Sequence, residues 1–94
     1  MKEYYVYITT NPQMTVLYIG VTNDLERRMA EHREARNDQR KFTGRYLCYN
    51  LIYYEEFNDI WMAIEREKEL KKWRREKKER LINSVNPSWD TIWF

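Results

Sequence analysis

The sequence has little of what would staple, anchor or punctuate a chain. Among its 94 residues there is one cysteine, one histidine, two glycines and two prolines. A single cysteine, Cys48, forms no internal disulfide, which suits a reducing, cytoplasmic setting. No apolar run of signal-peptide length follows Met1. No stretch is long enough to span a bilayer, so no membrane partner is expected. Repeats and low-complexity linkers are also missing. The length fits one domain over residues 1–94, small but able to bury a core without disulfides. An apolar share of 43% with 16% aromatics marks a globular composition rather than a disordered one.

Net charge is only +2, so the total says little about partners, but its distribution says more. Between Arg66 and Arg80 lie nine basic residues, diluted by four glutamates. Such a stretch reads either as a solvated helix surface laced with i,i+4 pairs or as a stripe facing phosphates. Composition does not decide between them.

Residues 4–9 are β-branched and aromatic and predict a strand; residues 15–20 predict a second. Asn11-Pro12-Gln13 between them signals a turn, so the pair reads as a hairpin. Asn23 reads as a helix N-cap, with Glu26 completing a capping box. A helix follows from Asp24 to about Arg36. Residues 37–46 read as a polar, basic loop, and 47–54 as a third strand. Asn58 or Asp59 caps a long helical stretch that breaks near Trp73 and resumes to about Ile82. Asn86-Pro87 stops any helix there. The order ββαβαα predicts an α+β fold, a small, mostly antiparallel three-stranded sheet flanked by helices.

Several polar residues fall where the helical period of about 3.6 residues asks for apolar ones. In the second helix Ile60, Ala63, Ile64 and Leu70 form the apolar stripe, and Glu67 falls near its middle. A carboxylate there is costly unless paired or metal-bound. Either a structural ion pair or a metal ligand satisfies the pattern. In the first helix Arg28 and His32 flank the inner residues Leu25 and Met29, while Arg27 points away. On the strands Tyr5 and Tyr7 share one face, as do Tyr18 and Gly20. Tyrosines suit half-buried sheets, but a phenol beside a metal can also move a proton. Gly20 at a strand end permits close backbone approach.

The run Tyr18-Ile19-Gly20-Val21-Thr22-Asn23-Asp24-Leu25-Glu26-Arg27-Arg28, followed by Glu31-His32, resembles the GIY-YIG nuclease family. The first family motif stands here as Tyr5-Val6-Tyr7, with tyrosine in place of the usual glycine. Ala63 with Arg66-Glu67 and Leu70-Lys71-Lys72 is similar to the segment that carries the family's metal-binding glutamate. The ending Asn86-Pro87-Ser88-Trp89 looks like that of short stand-alone bacterial members.

The resemblance implies catalytic roles for Tyr7, Tyr18, Arg28 and His32. Tyr7 is then the general base or its relay, Tyr18 supports the attacking water, Arg28 contacts the scissile phosphate, and His32 positions it or moves protons. It implies that Glu67 holds a single divalent ion, Mg2+ or Mn2+. Asn86, rather than Asn83, would match the family's asparagine near the domain's end. Gly20, Lys41, Lys71, Lys72, Arg75 and Asn86 are the expected nucleic-acid contacts. Some members carry a lysine directly after the second motif. Val21 stands there in this chain, which moves any such role to Lys41 or Lys72.

The implied activity is metal-dependent endonucleolytic hydrolysis of DNA. The family usually couples the domain to a separate targeting module, for which this length leaves no room. Binding is therefore expected to be salt-sensitive and directed by structure or ends rather than by sequence. Two rivals are a nucleic-acid-binding module that does not cut, and a protein-interaction domain anchored by Trp73, Trp89 and Trp93.

Overall fold

The computed structural model describes residues 3–35 and 47–93. Its strands are β1 (Tyr4–Thr10), β2 (Leu17–Thr22) and β3 (Asn50–Phe57), and its helices are α1 (Leu25–Ala35), α2 (Ile60–Lys72) and α3 (Arg75–Asn83). The sheet runs β2-β1-β3 with both pairings antiparallel. This is the α+β arrangement in the expected ββαβαα order.

Side chains alternate across β1. Val6 and Ile8 point to one face, where they pack with Ile19, Ile52, Ala63, Leu70 and Ile82 beneath α2 and α3. Tyr7 points to the other face and packs with Leu25 and Met29 of α1 and with Leu51. The sheet is thus sandwiched, and the two layers differ in chemistry. β3 keeps both faces supplied through a bulge. Ile8 pairs with Tyr53 but Thr9 pairs with Leu51, so Ile52 is the extra residue. The bulge shifts the alternation by one, which lets Leu51 and Tyr54 serve the same face.

Three boundaries differ from the sequence expectation. The second strand was expected at 15–20 and starts at Leu17, because the amides of Thr15 and Val16 donate to Asn11 Oδ1, at 2.8 and 2.9 Å. Those two residues close the hairpin turn instead of entering the ladder. The third strand was expected at 47–54 and lies at Asn50–Phe57. Leu47 adopts a left-handed φ of 57°, which breaks the extended run at its start. At the other end Glu55, Glu56 and Phe57 pair with β1 despite their polar composition. The cap of α1 is Asp24 rather than Asn23. Asp24 Oδ1 accepts the Arg27 amide at 3.1 Å, after the Thr22 hydroxyl has accepted the Asp24 amide at 3.1 Å. That preceding turn moves the helix start by one residue and removes Glu26 from a capping box.

Asp59 caps α2, accepting the Trp61 amide at 2.8 Å. The break at Trp73 is real: its amide bonds Leu70 O at 3.1 Å and its backbone is extended. After α3 the chain turns back and Ile92 N donates to Leu51 O at 2.8 Å, laying the tail along the start of β3. No helix among the described residues is long and apolar enough to cross a membrane.

Candidate functional site

The polar layer centres on the Tyr7 hydroxyl. Tyr7 sits mid-strand on β1, opposite Gly20 on β2. A Cβ at Gly20 would lie 2.4 Å from the Tyr7 hydroxyl oxygen and 2.6 Å from Cζ, so the missing side chain is the seat of the phenol. α1 runs over this face and delivers Arg28 and His32, one turn apart. Arg28 Nε donates to the Tyr7 hydroxyl oxygen at 3.1 Å, and His32 Nε2 lies 3.0 Å from the same oxygen.

The proton positions follow from the partners. His32 Nδ1 lies 3.2 Å from the Cys48 carbonyl, which can only accept, so Nδ1 carries the ring proton. Nε2 then accepts, and Tyr7 donates its hydroxyl proton to it. Burial, reinforced by the Arg28 charge, depresses His32 to about 4, against smaller opposing effects of the Cys48 carbonyl and Glu31. The imidazole is therefore neutral at physiological pH. Burial holds the Tyr7 phenol up at about 12, opposed by the Arg28 bond and charge and supported by Tyr18 and Glu67. Tyr18 is half-buried beside them, its ring 5.2 Å from that of His32 and 6.3 Å from that of Tyr7. A phenol held between a neutral imidazole and a guanidinium can pass a proton in one direction while the cation steadies negative charge on its oxygen.

Glu67 occupies the inner face of α2 between Ala63 and Leu70, with its side chain 20% exposed. Its charge makes only a small addition to the raised Tyr7 phenol, which burial dominates. Its cation partner is Lys71, one turn on, at 3.4 Å and 53% exposed. A pair of that geometry is worth little, so the carboxylate is not held by a strong buried ion pair.

The structure thus brings Tyr7, Tyr18, Gly20, Arg28 and His32 into one cluster within reach of the Glu67 charge. The expected phosphate contacts fare differently. Gly20 is buried beneath the Tyr7 phenol. Lys71 belongs to Glu67. Arg75 donates to the carbonyls of Thr15 and Met14, at 2.6 and 3.0 Å, and pairs with Glu79, so it clamps the hairpin turn. Lys72 is exposed. Asn86 donates to Ile52 O and Asp90 O, both at 2.9 Å, and accepts the Asp90 amide, which ties down the tail. Asn83 receives the Trp89 indole at 2.6 Å. Neither asparagine is bonded to the tyrosine cluster. Lys41 lies outside the described residues.

Two contributors were absent from the sequence expectation. Glu31 pairs with Arg28 at 3.1 Å, and its i,i+3 spacing was an available signal. The Cys48 carbonyl orients His32 through the backbone, for which side-chain patterns carry no signal. Arg27 points away from the core as expected, and it lines a surface groove together with Arg28. Of the candidate anchor tryptophans, Trp73 lies against Arg66 and Lys77, Trp89 is half-buried, and Trp93 is exposed with Arg33 over its ring.

The GIY-YIG catalytic domain matches residues 3–80, which contain the whole tyrosine cluster and Glu67. The chain belongs to the GIY-YIG family. It is 38% identical over 80 residues to a UPF0213 protein of Natronomonas pharaonis, covering 85% of this chain and 91% of that one. It is 32% identical over 83 residues to a UPF0213 protein of Staphylococcus saprophyticus, covering 88% of this chain and 98% of that one. Among solved structures, the solution structure of a UPF0213 protein from Bacillus halodurans is similar, with a TM-score of 0.59 and 27% identity. That match covers 94% of this chain and 90% of that one. Membership of a family of catalytic domains supports nucleic-acid cleavage in general terms.

Proposed function

We propose that this protein hydrolyses phosphodiester bonds in DNA, using one divalent ion, Mg2+ or Mn2+, held by Glu67. The observation that carries the reading is the Tyr7 hydroxyl bound between neutral His32 and Arg28. An inert core tyrosine needs one hydrogen-bond partner, whereas this one has an acceptor for its proton and a cation for its oxygen.

In this mechanism a water beside Tyr7 gives its proton to the phenol oxygen as the phenol gives its own to His32 Nε2. The water oxygen forms a bond to phosphorus. The bond from phosphorus to the leaving sugar oxygen breaks, and that oxygen takes a proton from solvent. Arg28 neutralises charge on the phosphate while holding the phenol. Tyr18 supports the water. The donor set fits the ion: a magnesium-type cation keeps most of its waters and takes one or two carboxylates plus substrate phosphate, and Glu67 offers one weakly engaged carboxylate. When bound, such an ion polarises the phosphate and steadies the leaving oxygen.

The test is cleavage of branched, nicked, single-stranded and duplex DNA, and of RNA, with magnesium or manganese and with chelator. Metal-dependent cutting that Tyr7→Phe abolishes supports the reading. Cutting that persists in chelator refutes the metal role of Glu67, and no cutting on any substrate refutes the reaction itself and leaves a fold without nuclease activity.

A further inference from the structure

Alongside the catalytic cluster a groove of about 470 Å³ follows the end of β2, between α1 and the start of α2. Its walls include Tyr4, Val21, Asn23, Arg27, Arg28 and Ile60, with the carboxylate of Glu31 beside them, paired with Arg28 at 3.1 Å. Arg28 lines the groove and also bonds the Tyr7 hydroxyl, so its side chain links the two places. Arg27 and Arg28 are adjacent on α1, and a helix turns about 100° between such residues. One guanidinium therefore reaches inward to Tyr7 while the other stays over the groove. Arg27 is exposed, and Asn23 Oδ1 lies 3.4 Å from its Nη2, a loose contact that leaves its other donors open. Opposite the arginines the walls of Tyr4, Val21 and Ile60 are apolar. A phosphate for Arg27 and an apolar wall for a sugar or base describe one nucleotide.

We infer that this groove is a nucleotide subsite, in which Arg27 binds the phosphate next to the scissile one and Asn23 steadies the Arg27 side chain. The inference rests on the site at Tyr7 taking a phosphodiester. It places the substrate backbone along the end of β2, with recognition through backbone charge rather than base edges. Arg27 is then a positioning residue, distinct from Arg28, which touches the reacting group.

The experiment compares a DNA dinucleotide, which has one phosphodiester, with a trinucleotide, which has two. Each is titrated into the whole protein by NMR with chelator present, so that nothing is cut. The wild type should bind the trinucleotide about tenfold more tightly, the scale of one charge-assisted contact, with shifts at Val21 and Ile60. Arg27→Ala, at an exposed position, should lose that advantage while keeping dinucleotide affinity, and Arg27→Lys, which keeps a charge, should regain part of it. A wild type with equal affinities, an undiminished advantage in Arg27→Ala, or a lysine variant that behaves like alanine overturns the subsite. Because the titration needs no turnover, a protein that cuts nothing yet keeps the Arg27-dependent advantage sinks the nuclease reading alone.

Discussion

The two faces of one three-stranded sheet have been built for opposite purposes. Beneath α2 and α3, Val6, Ile8, Ile19 and Ile52 meet Ala63, Leu70 and Ile82 in a layer held by apolar burial. Beneath α1 the same strands carry Tyr7, Tyr18 and Gly20, and the helix answers with Arg28 and His32. That second layer packs Tyr7 with Leu25, Met29 and Leu51 and adds hydrogen bonds from Arg28 and His32. The contrast teaches that a small domain can keep an apolar layer on one side of a sheet and a hydrogen-bonded polar cluster on the other, because period-2 alternation separates them residue by residue.

The sharpest way to break the comparison is one substitution on each face. Tyr7→Phe should lower the cleavage rate by about 10²–10⁴-fold, the range for a lost general base. It should also cost about 1–3 kcal/mol, since the buried groups it bonded lose their partner. Ile8→Ala, one residue on, should cost about 2–5 kcal/mol by leaving a cavity, with the rate of the folded protein kept. Urea melts beside initial rates separate the two. An active Tyr7→Phe protein would move the base to Tyr18 or His32.

The next test is pH. Folding lowers His32 from 6.5 to about 4, so between these values the unfolded chain binds the proton and the folded chain does not. Stability from this group is full above 6.5 and falls as pH drops toward 4, by about 3 kcal/mol in all. Melts of wild type and His32→Gln across that window should converge as pH falls. Parallel curves would mean that the imidazole is not held neutral by the fold.

Gly20→Ala sharpens the contrast within the polar face. Its methyl group would collide with a phenol that Arg28 and His32 already hold. The expected cost is about 1–3 kcal/mol of overpacking, with a rate loss approaching that of Tyr7→Phe. A fully active Gly20→Ala protein would show that the Tyr7 position is not critical.

The smallest stability effect belongs to Glu67→Gln. Its pair with half-exposed Lys71 is worth less than about 1 kcal/mol, so metal-free melts should barely move while magnesium binding and cleavage disappear. A large loss of metal-free stability would mark Glu67 as structural.

Much of this was readable in the residues. Element order followed from β-branched runs and helical period, and the place of Glu67 on the half-buried face of its helix was legible from the same period. Pairing Tyr7 with His32 was not readable, because it depends on the angle at which α1 crosses the sheet. The starts of β2 and β3 were misjudged where Asn11 captured two backbone amides and Leu47 took a left-handed φ, neither of which composition encodes. Arg75 is engaged within the chain, which its place in the sequence did not reveal. A basic residue that holds two carbonyls of a distant turn has the same letter as one that waits for phosphate.

The bond from His32 Nδ1 to the Cys48 carbonyl has an evolutionary consequence. The tautomer of the proposed proton acceptor is chosen by a main-chain oxygen, and every residue type has one. Position 48 is thereby free to change its side chain with no effect on which nitrogen faces Tyr7, provided that the strand start keeps its path. The thiol there is buried, pushed up to about 11, and so uncharged at neutral pH. Drift at this site should be governed by volume and by the contact of the thiol with Val16 O, 3.9 Å away. Alanine, serine or valine should serve where cysteine stands, and the geometry of proton transfer should survive each exchange.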